Sequence, residues 1–479
     1  MQHNEVFGSF IFKFIERFAV KGIGLVIGVI LARLISPNDF GQIAILSVFI
    51  NLSQTIIQSG FSTALVQNKD VDDDDYSTVF YINVVASLVI ILILFFIAPI
   101  ISAYYATSAL VVPLRVYSLS LVFGAINSVQ NAKLQREMRF KEAMVCSLLA
   151  TLGSGFLGVI MAYLGFGLWA LIGYYFSNVV FSSIVMAFTT KWYPRLVFST
   201  NRAKELYGYG WKLLVSGVLC SLHSDIQSLV IGKKFSTSTL GYYNRGQQIP
   251  QILAMTMDSS VQSVMLPVLS QVQDQKSRFR DLVKRSVSLD MLFIAPAMVG
   301  LALVAESIVI VLYTEAWLPS AIYVQLVCLA YLSAPFISSH LIAIKAIGRS
   351  DVYMKLEIVR RIMMLVVLAI SILCFDSVLA IAIGFVVSSF LDVVIVSVPI
   401  LKLIDYSLWE QIKDLWKILV AVMAMAIVVW TIDLFALHAV LKLLAQVFVG
   451  VVSYVGLCFA LKVESFRYCV DKLTKLTKK

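Results

Sequence analysis

Residues 33–67, RLISPNDFGQIAILSVFINLSQTIIQSGFSTALVQ, join a tight polar turn to a long apolar segment interrupted by amides at Asn51, Gln54 and Gln58. The same design returns at residues 233–267, KKFSTSTLGYYNRGQQIPQILAMTMDSSVQSVMLP. Laid over each other, the two stretches put Lys233 under Arg33, Ser236 under Ser36, Gly241 under Gly41, Gln251 under Asn51 and Asp258 under Gln58. Further along, Arg139 in LQREMRFKEA answers Arg349 in IKAIGRSDVY, and Ala170 in GLWALIG answers Ala380 in SVLAIAIG, the offset having grown from 200 to 210 residues. A long, nearly constant offset in an apolar chain points to a transporter built from two halves that differ by small loop insertions.

The composition fixes the medium in which those halves work. Of 479 residues, 60% are hydrophobic and 14% charged, with a mean hydropathy of +0.89, whereas soluble domains average about 25% charge. This is the composition of a polytopic membrane protein. At roughly 20 apolar residues per span there is room for a dozen helices or slightly more, and no long polar stretch is left for a soluble catalytic domain. Lys13, Glu16, Arg17 and Lys21 precede the first apolar run, and no small-residue cleavage site follows; the segment reads as a retained first span, not a signal peptide. The six cysteines lie in or beside apolar runs without CxxC spacing. They read as small core hydrophobes, with no disulfide, metal or cofactor implied.

Apolar runs bounded by turns or charges predict fourteen helices, near 10–33, 40–65, 78–102, 110–131, 143–164, 167–189, 209–232, 240–267, 287–313, 317–345, 353–374, 378–401, 415–433 and 437–460. Helices are the natural choice because lipid offers backbone groups no partner. Basic residues test the count, since short cytoplasmic loops collect Lys and Arg. With the N-terminus inside, 32 of the 38 Lys and Arg fall on the inner side. The exceptions are Arg33, Lys233 and Lys234 at outer helix ends, and Arg115, Arg245 and Lys442 within spans. Removing any one helix would move whole clusters outside, so both termini are expected in the cytoplasm.

The resulting domain reading is an N-lobe at 1–190, a basic cytoplasmic linker at 191–207, a C-lobe at 208–402, and an appended helix pair with a basic tail at 403–479. Each repeat holds six helices, an even number, so both copies enter the membrane in one orientation and their symmetry axis runs along the membrane normal.

Intramembrane polar residues cost about 2.5 to 3.5 kcal/mol for a central charge on insertion scales, so each needs a reason. In the first helix Lys13, Arg17, Lys21, Gly24 and Gly28 recur at spacings of four, four, three and four, which is one face. That face is either an anion-binding wall for a phosphorylated lipid head or a row of snorkelling cations beside a tight GxxxG contact. In the eighth helix Arg245, Gln248, Gln251, Asp258 and Gln262 make a broad polar face, matched in the second by Asn51, Gln54 and Gln58. Such faces line a hydrophilic cavity or hydrogen-bond to neighbouring helices. Asp225 in the seventh helix and Asp258 are candidates for ion coupling. His223 and Asp225 face different ways, which argues against a metal pair. Arg115, in the outer third of the fourth helix, either snorkels or meets a phosphate. For Glu306 a structural partner is expected.

Two weaker signals carry bland readings. GSGFLG at 153–158 matches GxGxxG, yet no strand precedes it and no acidic residue follows at the nucleotide-binding distance; it reads as helix packing. DVDDDD at 70–75 lacks the EF-hand glycine and glutamate, and is expected to cap the third helix from the cytoplasm.

The run RLISPNDFG, IQSGFSTALVQ, TVFYINV, LQREMRFK and GFGLWALI, with YGWKLLVSGVL and LGYYNRGQQIP in the second half, resembles the polysaccharide exporters of the multidrug/oligosaccharidyl-lipid/polysaccharide (MOP) flippase superfamily, of the colanic-acid and O-antigen type. The resemblance extends from about residue 5 to about residue 460. It implies an all-α fold of two six-helix lobes around a central cavity with two extra helices. It further implies a flippase for undecaprenyl-pyrophosphate-linked oligosaccharide in a bacterial inner membrane, working beside polysaccharide polymerase and export machinery. The matching positions lie mostly at turns and look architectural, so no site residue is carried over. Two other classes stand against this reading. A drug or cation antiporter of the same superfamily would want an acidic cavity, whereas these spans hold basic and amide groups. A membrane glycan polymerase or ligase would need a large outer loop, and every outer loop in this map is short.

Overall fold

The computed structural model describes residues 21–58, 62, 65–66, 71–435 and 438–477. The described chain is helical, and its helices follow the sequence map closely. They are α1 (21–34), α2 (Pro37–Gln58), α3 (Asp73–Tyr104), α4 (Ser108–Arg136, opening on a 3-10 turn), α5 (Phe140–Tyr163), α6 (Leu168–Thr190), α7 (Thr200–Lys234) and α8 (Thr237–Ser270). Then follow α9 (Lys276–Leu303), a short helix at Ala305–Leu312, α10 (Glu315–Ala346), α11 (Ser350–Cys374), α12 (Val378–Ile404), α13 (Leu408–Ile432), α14 (Ala439–Ala460) and α15 (Glu464–Thr477). Among the described residues, twelve of these are long and apolar enough to cross a membrane. The other two helices of the fourteen-helix map are α1, described only from residue 21, and α11, which carries Asp351, Lys355, Glu357, Arg360 and Arg361.

Several helices begin earlier than the apolar runs predict. α7 begins at Thr200, α9 at Lys276 and α13 at Leu408, seven to eleven residues ahead of the predicted 209, 287 and 415. Hydropathy marks the part of a helix in lipid; the rest is held by charge. Lys276, Arg280 and Lys284, one turn apart on α9, pair with Asp405 at the end of α12 and with Glu410 (3.0 Å) and Asp414 (3.1 Å) in the first turns of α13. The predicted ninth helix also divides at Val304, and Glu306 stands exposed in the first turn of the short helix that follows, where a carboxylate suits the helix dipole.

The chain separates into two compact units, residues 1–241 and 242–479. In the first unit α5 packs along α6, and α2 is set against α4, α6 and α7. Its centre is apolar: Leu31, Ile43, Ile45, Leu46 and Ile57 are all buried. The GSGFLG stretch does pack helices. A methyl on Gly155 would meet Ile27 of α1 at 2.2 Å, and one on Gly158 would meet Tyr174 of α6 at 2.8 Å.

The acidic run caps α3 as expected. Asp72 accepts from the Asp74 and Asp75 amides in a capping box, and the next three carboxylates gather cations: Asp73 with Lys133 (3.2 Å) and Arg195, Asp74 with Arg195, Asp75 with Arg202 (3.3 Å). Residues of the basic stretch 191–207 thereby dock on α3, with Trp192 buried and the Arg195 and Ser199 amides donating to the Ser77 and Thr78 hydroxyls.

In the second unit α9 is the central post, packed on α10, α12 and α13 and burying Val283, Val287, Met291, Ile294 and Met298. The α13–α14 pair closes on itself through Asp433, which takes Lys442 (2.6 Å) and the Gln446 amide (3.0 Å), and Tyr454 ties it to the Leu292 carbonyl of α9. Outward faces are greasy in both units, as on α3, where Val85, Leu88, Leu92, Phe96 and Ile100 are exposed in one stripe; an apolar surface of this kind belongs in lipid. The described cysteines are free thiols.

Candidate functional site

Each unit holds a helix with a polar face inside an otherwise apolar packing. In the first unit it is α2. Gln54 is half-buried, seated so closely on Gly124 of α4 that a methyl there would meet its amide at 2.1 Å. Gln58, one turn on, donates to Gln54, and Asn51 is exposed. Arg115 of α4 is engaged by α3, its Nε donating to the Phe95 carbonyl (3.2 Å) and its guanidinium lying 3.9 Å from the Phe95 ring centre. Lys21 is exposed at the first described position of α1, with Gly28 buried two turns along. Lys13 and Arg17 lie outside the described residues. Asp225 is half-buried on α7.

In the second unit the polar helix is α8, and its geometry is unusual. Pro250 inside the helix leaves the Gly246 carbonyl without its helical donor. At that level Gly246 lets α8 approach α10: a methyl there would meet Tyr323 at 2.6 Å. Just before it, Arg245 is buried and donates to the Gln248 side-chain carbonyl. Two turns beyond the proline, Gln262 donates to the Asp258 carboxylate, both half-buried, while Gln251 is exposed. The arrangement therefore offers one sequestered guanidinium, a series of amides and a carboxylate along one helix. That chemistry suits a ligand carrying both phosphate oxygens and hydroxyls.

The three basic residues placed within spans are thus each engaged, Arg115 by a backbone carbonyl, Arg245 by an amide and Lys442 by Asp433. A further group escaped the sequence reading. Asp290 on α9 is 1% exposed and His340 on α10 is 0% exposed. Ser339 donates to Asp290 at 3.4 Å and lies 3.0 Å from Ser286. Each is a single polar residue in an apolar run, which is the available signal; neither stripe nor motif points to them. By contrast Asp392 of α12 is neutralised by Arg360 (3.0 Å), which also holds Glu357 (2.8 Å). Among the described residues no group of His, Cys, Asp and Glu is placed to hold a metal ion.

The fold is that of the MOP transporters. It superposes on a lipid II flippase, MurJ in an inward closed conformation, with a TM-score of 0.79 over 96% of this chain and 100% of that one, at 15% identity. An inward-facing MATE family transporter of the MOP superfamily matches with a TM-score of 0.61 over 81% and 98% of the two chains, at 16% identity. The model of the polysaccharide biosynthesis protein family matches residues 30–322. Curated relatives include the succinoglycan biosynthesis transport protein ExoT of Rhizobium meliloti (strain 1021), 24% identical over 60% of this chain and 58% of ExoT. The teichuronic acid biosynthesis protein TuaB of Bacillus subtilis (strain 168) is 22% identical over 62% of each chain. The lipopolysaccharide biosynthesis protein WzxC of Escherichia coli (strain K12) is 22% identical over 64% of this chain and 63% of WzxC. The match thus spans about three-fifths of the length of these relatives. The chain belongs to the polysaccharide biosynthesis protein family, as a multi-pass membrane protein with the MOP fold.

Proposed function

We propose that the protein is a flippase that carries undecaprenyl-pyrophosphate-linked oligosaccharide units from the cytoplasmic to the periplasmic leaflet of a bacterial inner membrane, for exopolysaccharide or lipopolysaccharide synthesis. The observation that carries the reading is a MOP fold in a chain of the polysaccharide biosynthesis family, with a buried arginine and a series of amides on its polar helix. It is a transporter and not an enzyme: the substrate changes sides and keeps its bonds. The prenyl tail stays in lipid while the sugar enters a hydrophilic cavity and the protein alternates its access. Lys13, Arg17, Lys21, Arg115 and Arg245 meet the pyrophosphate, and Asn51, Gln54, Gln58, Gln248, Gln251 and Gln262 replace water around the sugar hydroxyls.

The lobes run over 1–190 and 208–402, with fourteen spans and both termini in the cytoplasm. The membrane potential favours export of an anion from an inside-negative cell by about 2.3 kcal/mol per charge per 100 mV. Ion exchange through Asp225 or Asp258 adds to that drive or replaces it. Deleting the gene and analysing the lipid-linked sugar tests the proposal. The expected result is a glycan on undecaprenyl pyrophosphate that accumulates in the inner leaflet and is restored to export by the intact gene. Unchanged export and an unchanged lipid pool would reject it.

A further inference from the structure

The first turns of α9, α13 and α15 border a cavity of about 490 Å³ in the second unit, within the roughly 300–1,000 Å³ of small-ligand sites. None of its lining belongs to the polar faces of α2 or α8. Its walls carry both signs of charge. α9 supplies Asp281, Lys284 and Arg285, three and four residues apart on one face. α13 supplies Lys413 and Lys417, one turn apart, and α15 supplies Glu464 in its first turn.

Only part of this charge is used within the protein. Lys284 meets Asp414 at 3.1 Å. The Arg285 guanidinium lies 3.9 Å from the centre of the Tyr468 ring of α15, a stacking contact that occupies its face and not its N–H edge. Lys413 stands 5.6 Å from the centre of the Trp409 ring. Among the described residues, Asp281, Lys417 and Glu464 have no ion-pair partner. Cations and carboxylates that line one cavity without neutralising each other suit a ligand of the complementary pattern.

The surroundings are those of a membrane surface. Trp409 and Trp416, in the first turns of α13, are both exposed, the place tryptophan takes where lipid meets water. α15 is amphipathic: Phe466, Cys469 and Val470 are half-buried while Arg467 and Asp471 are exposed. Its Phe466 ring packs 4.8 Å from that of Phe459 at the end of α14. A helix of this kind, following directly on a span, is suited to lie along the interface.

We propose that this cavity binds the headgroup of a zwitterionic phospholipid of the phosphoethanolamine class. Arg285, Lys413 and Lys417 take the phosphate oxygens through charge-assisted hydrogen bonds, Asp281 and Glu464 take the ammonium, and the acyl chains remain in lipid. A phosphate diester is a monoanion, and the amine lies a short ethyl link away, so one ligand answers both signs of the wall. A glycerol headgroup leaves the two carboxylates without a cation. A pyrophosphate sets more negative charge against them, so the cavity suits a resident lipid better than a lipid-linked pyrophosphate. Because the walls come from three separate stretches of chain, the bound headgroup pins α15 to α9 and α13. The site stands apart from the flippase reading and does not depend on it.

Native mass spectrometry of the full-length protein with defined lipids added in detergent tests the proposal. Phosphatidylethanolamine is expected to bind about tenfold more tightly than phosphatidylglycerol of the same chains. The double variant Lys413→Gln, Lys417→Gln is expected to lose that binding about tenfold, and Asp281→Asn to turn the preference toward phosphatidylglycerol. Asp281 and Lys413 are exposed and Lys417 half-buried, so these variants are expected to fold; Glu464→Gln is a second, independent probe of the acidic wall with the same expected outcome as Asp281→Asn. Soluble glycerophosphoethanolamine separates a lipid from a free ligand and is expected not to displace the phospholipid at equal concentration. Equal binding of the two lipids to wild type would overturn the proposal, as would a preference unmoved by the lysine variant or by both acidic ones. Displacement by the soluble headgroup at equal concentration would overturn the lipid as its occupant.

Discussion

The turn at 33–41 and its copy at 233–241 are built alike, and the helices that follow them are not. In both, a serine caps the second helix: the Asp39 amide donates to the Ser36 hydroxyl (3.2 Å) and the Thr239 amide to the Ser236 hydroxyl (3.1 Å). The two copies also meet reciprocally. A methyl on Gly41 would lie 1.7 Å from the Thr237 carbonyl oxygen, one on Gly241 would lie 2.1 Å from that of Pro37, and Thr237 donates to Asn38. Positions equivalent by repeat therefore touch each other's equivalents, the pattern of a two-fold contact. Four residues later the likeness ends. Ile45 is 0% exposed in an apolar core, while its counterpart Arg245 is buried with its charge. Gln58 donates to the Gln54 amide, while its counterpart Asp258 is a carboxylate that accepts from Gln262. Duplication kept what holds the two helix pairs together and let the polar faces diverge, so specificity is to be sought in the second copy.

The largest expected effect comes from forcing the conserved part of this comparison apart. Gly41→Ala sets a carbon against backbone, which has no rotamer to yield, so it is expected to cost at least the 1–3 kcal/mol of a typical overpacked site, about the upper end. Protein level and the melting temperature in detergent would show it. Gly22→Ala is the control: nothing lies within 4 Å of that position, and a helical Ala there is expected to be neutral or slightly stabilising. If both variants melt alike, the two-fold contact has no structural weight.

Arg245→Gln attacks the divergent part. Glycan export is expected to fall at least tenfold, about 1.4 kcal/mol of lost interaction, at unchanged protein level, with partial recovery in Arg245→Lys. Arg115→Gln is expected to do less, since its guanidinium is already spent on Phe95. Equal losses at the two positions would erase the asymmetry between the copies.

Most of the architecture was legible because lipid leaves the backbone one solution, and because α2 and α8 advertise themselves by turn residues and amide spacing. The helix ends were less so. α9 starts eleven residues ahead of its apolar run because its first turns are secured by Asp405, Glu410 and Asp414 across space, a pairing that no local pattern encodes. The same holds for the polar interior. Gln54 and Gln58 were visible as a stripe, whereas Asp290 and His340 acquire meaning only when α9 and α10 bury them.

The repeat offers a second matched pair further down, where a turn precedes α5 and α11. Met138 and Gly348 are equivalent, and both adopt positive φ, 57° and 82°. Glycine tolerates this; methionine stores strain of about 1–2 kcal/mol. Met138→Gly is therefore expected to raise stability by about 1 kcal/mol or less, part of the gain being lost to the added freedom of the unfolded chain. Gly348→Met is expected to lower it. A fall in melting temperature for Met138→Gly would mean that side-chain packing at Met138 outweighs its backbone strain.

The smallest effect concerns the arginines that follow those two residues. Arg139 is held by Glu137 (2.8 Å) and Glu142, and Arg349 by Asp351 through two 2.9 Å contacts. The Arg349 guanidinium holds the Asp351 carboxyl down at about 2. A carboxyl whose folded pKa lies below its unfolded value, near 3.9 for Asp, stabilises the fold fully above that value and loses this contribution as pH falls toward 2. Wild type is thus expected to melt slightly above Asp351→Asn at neutral pH, with the gap closing as the pH drops below 4. Solvent surrounds this pair, so the gap is expected to shrink in high salt as well. A gap that widens in acid would assign the stabilisation to another group and break the equivalence of the two arginine turns.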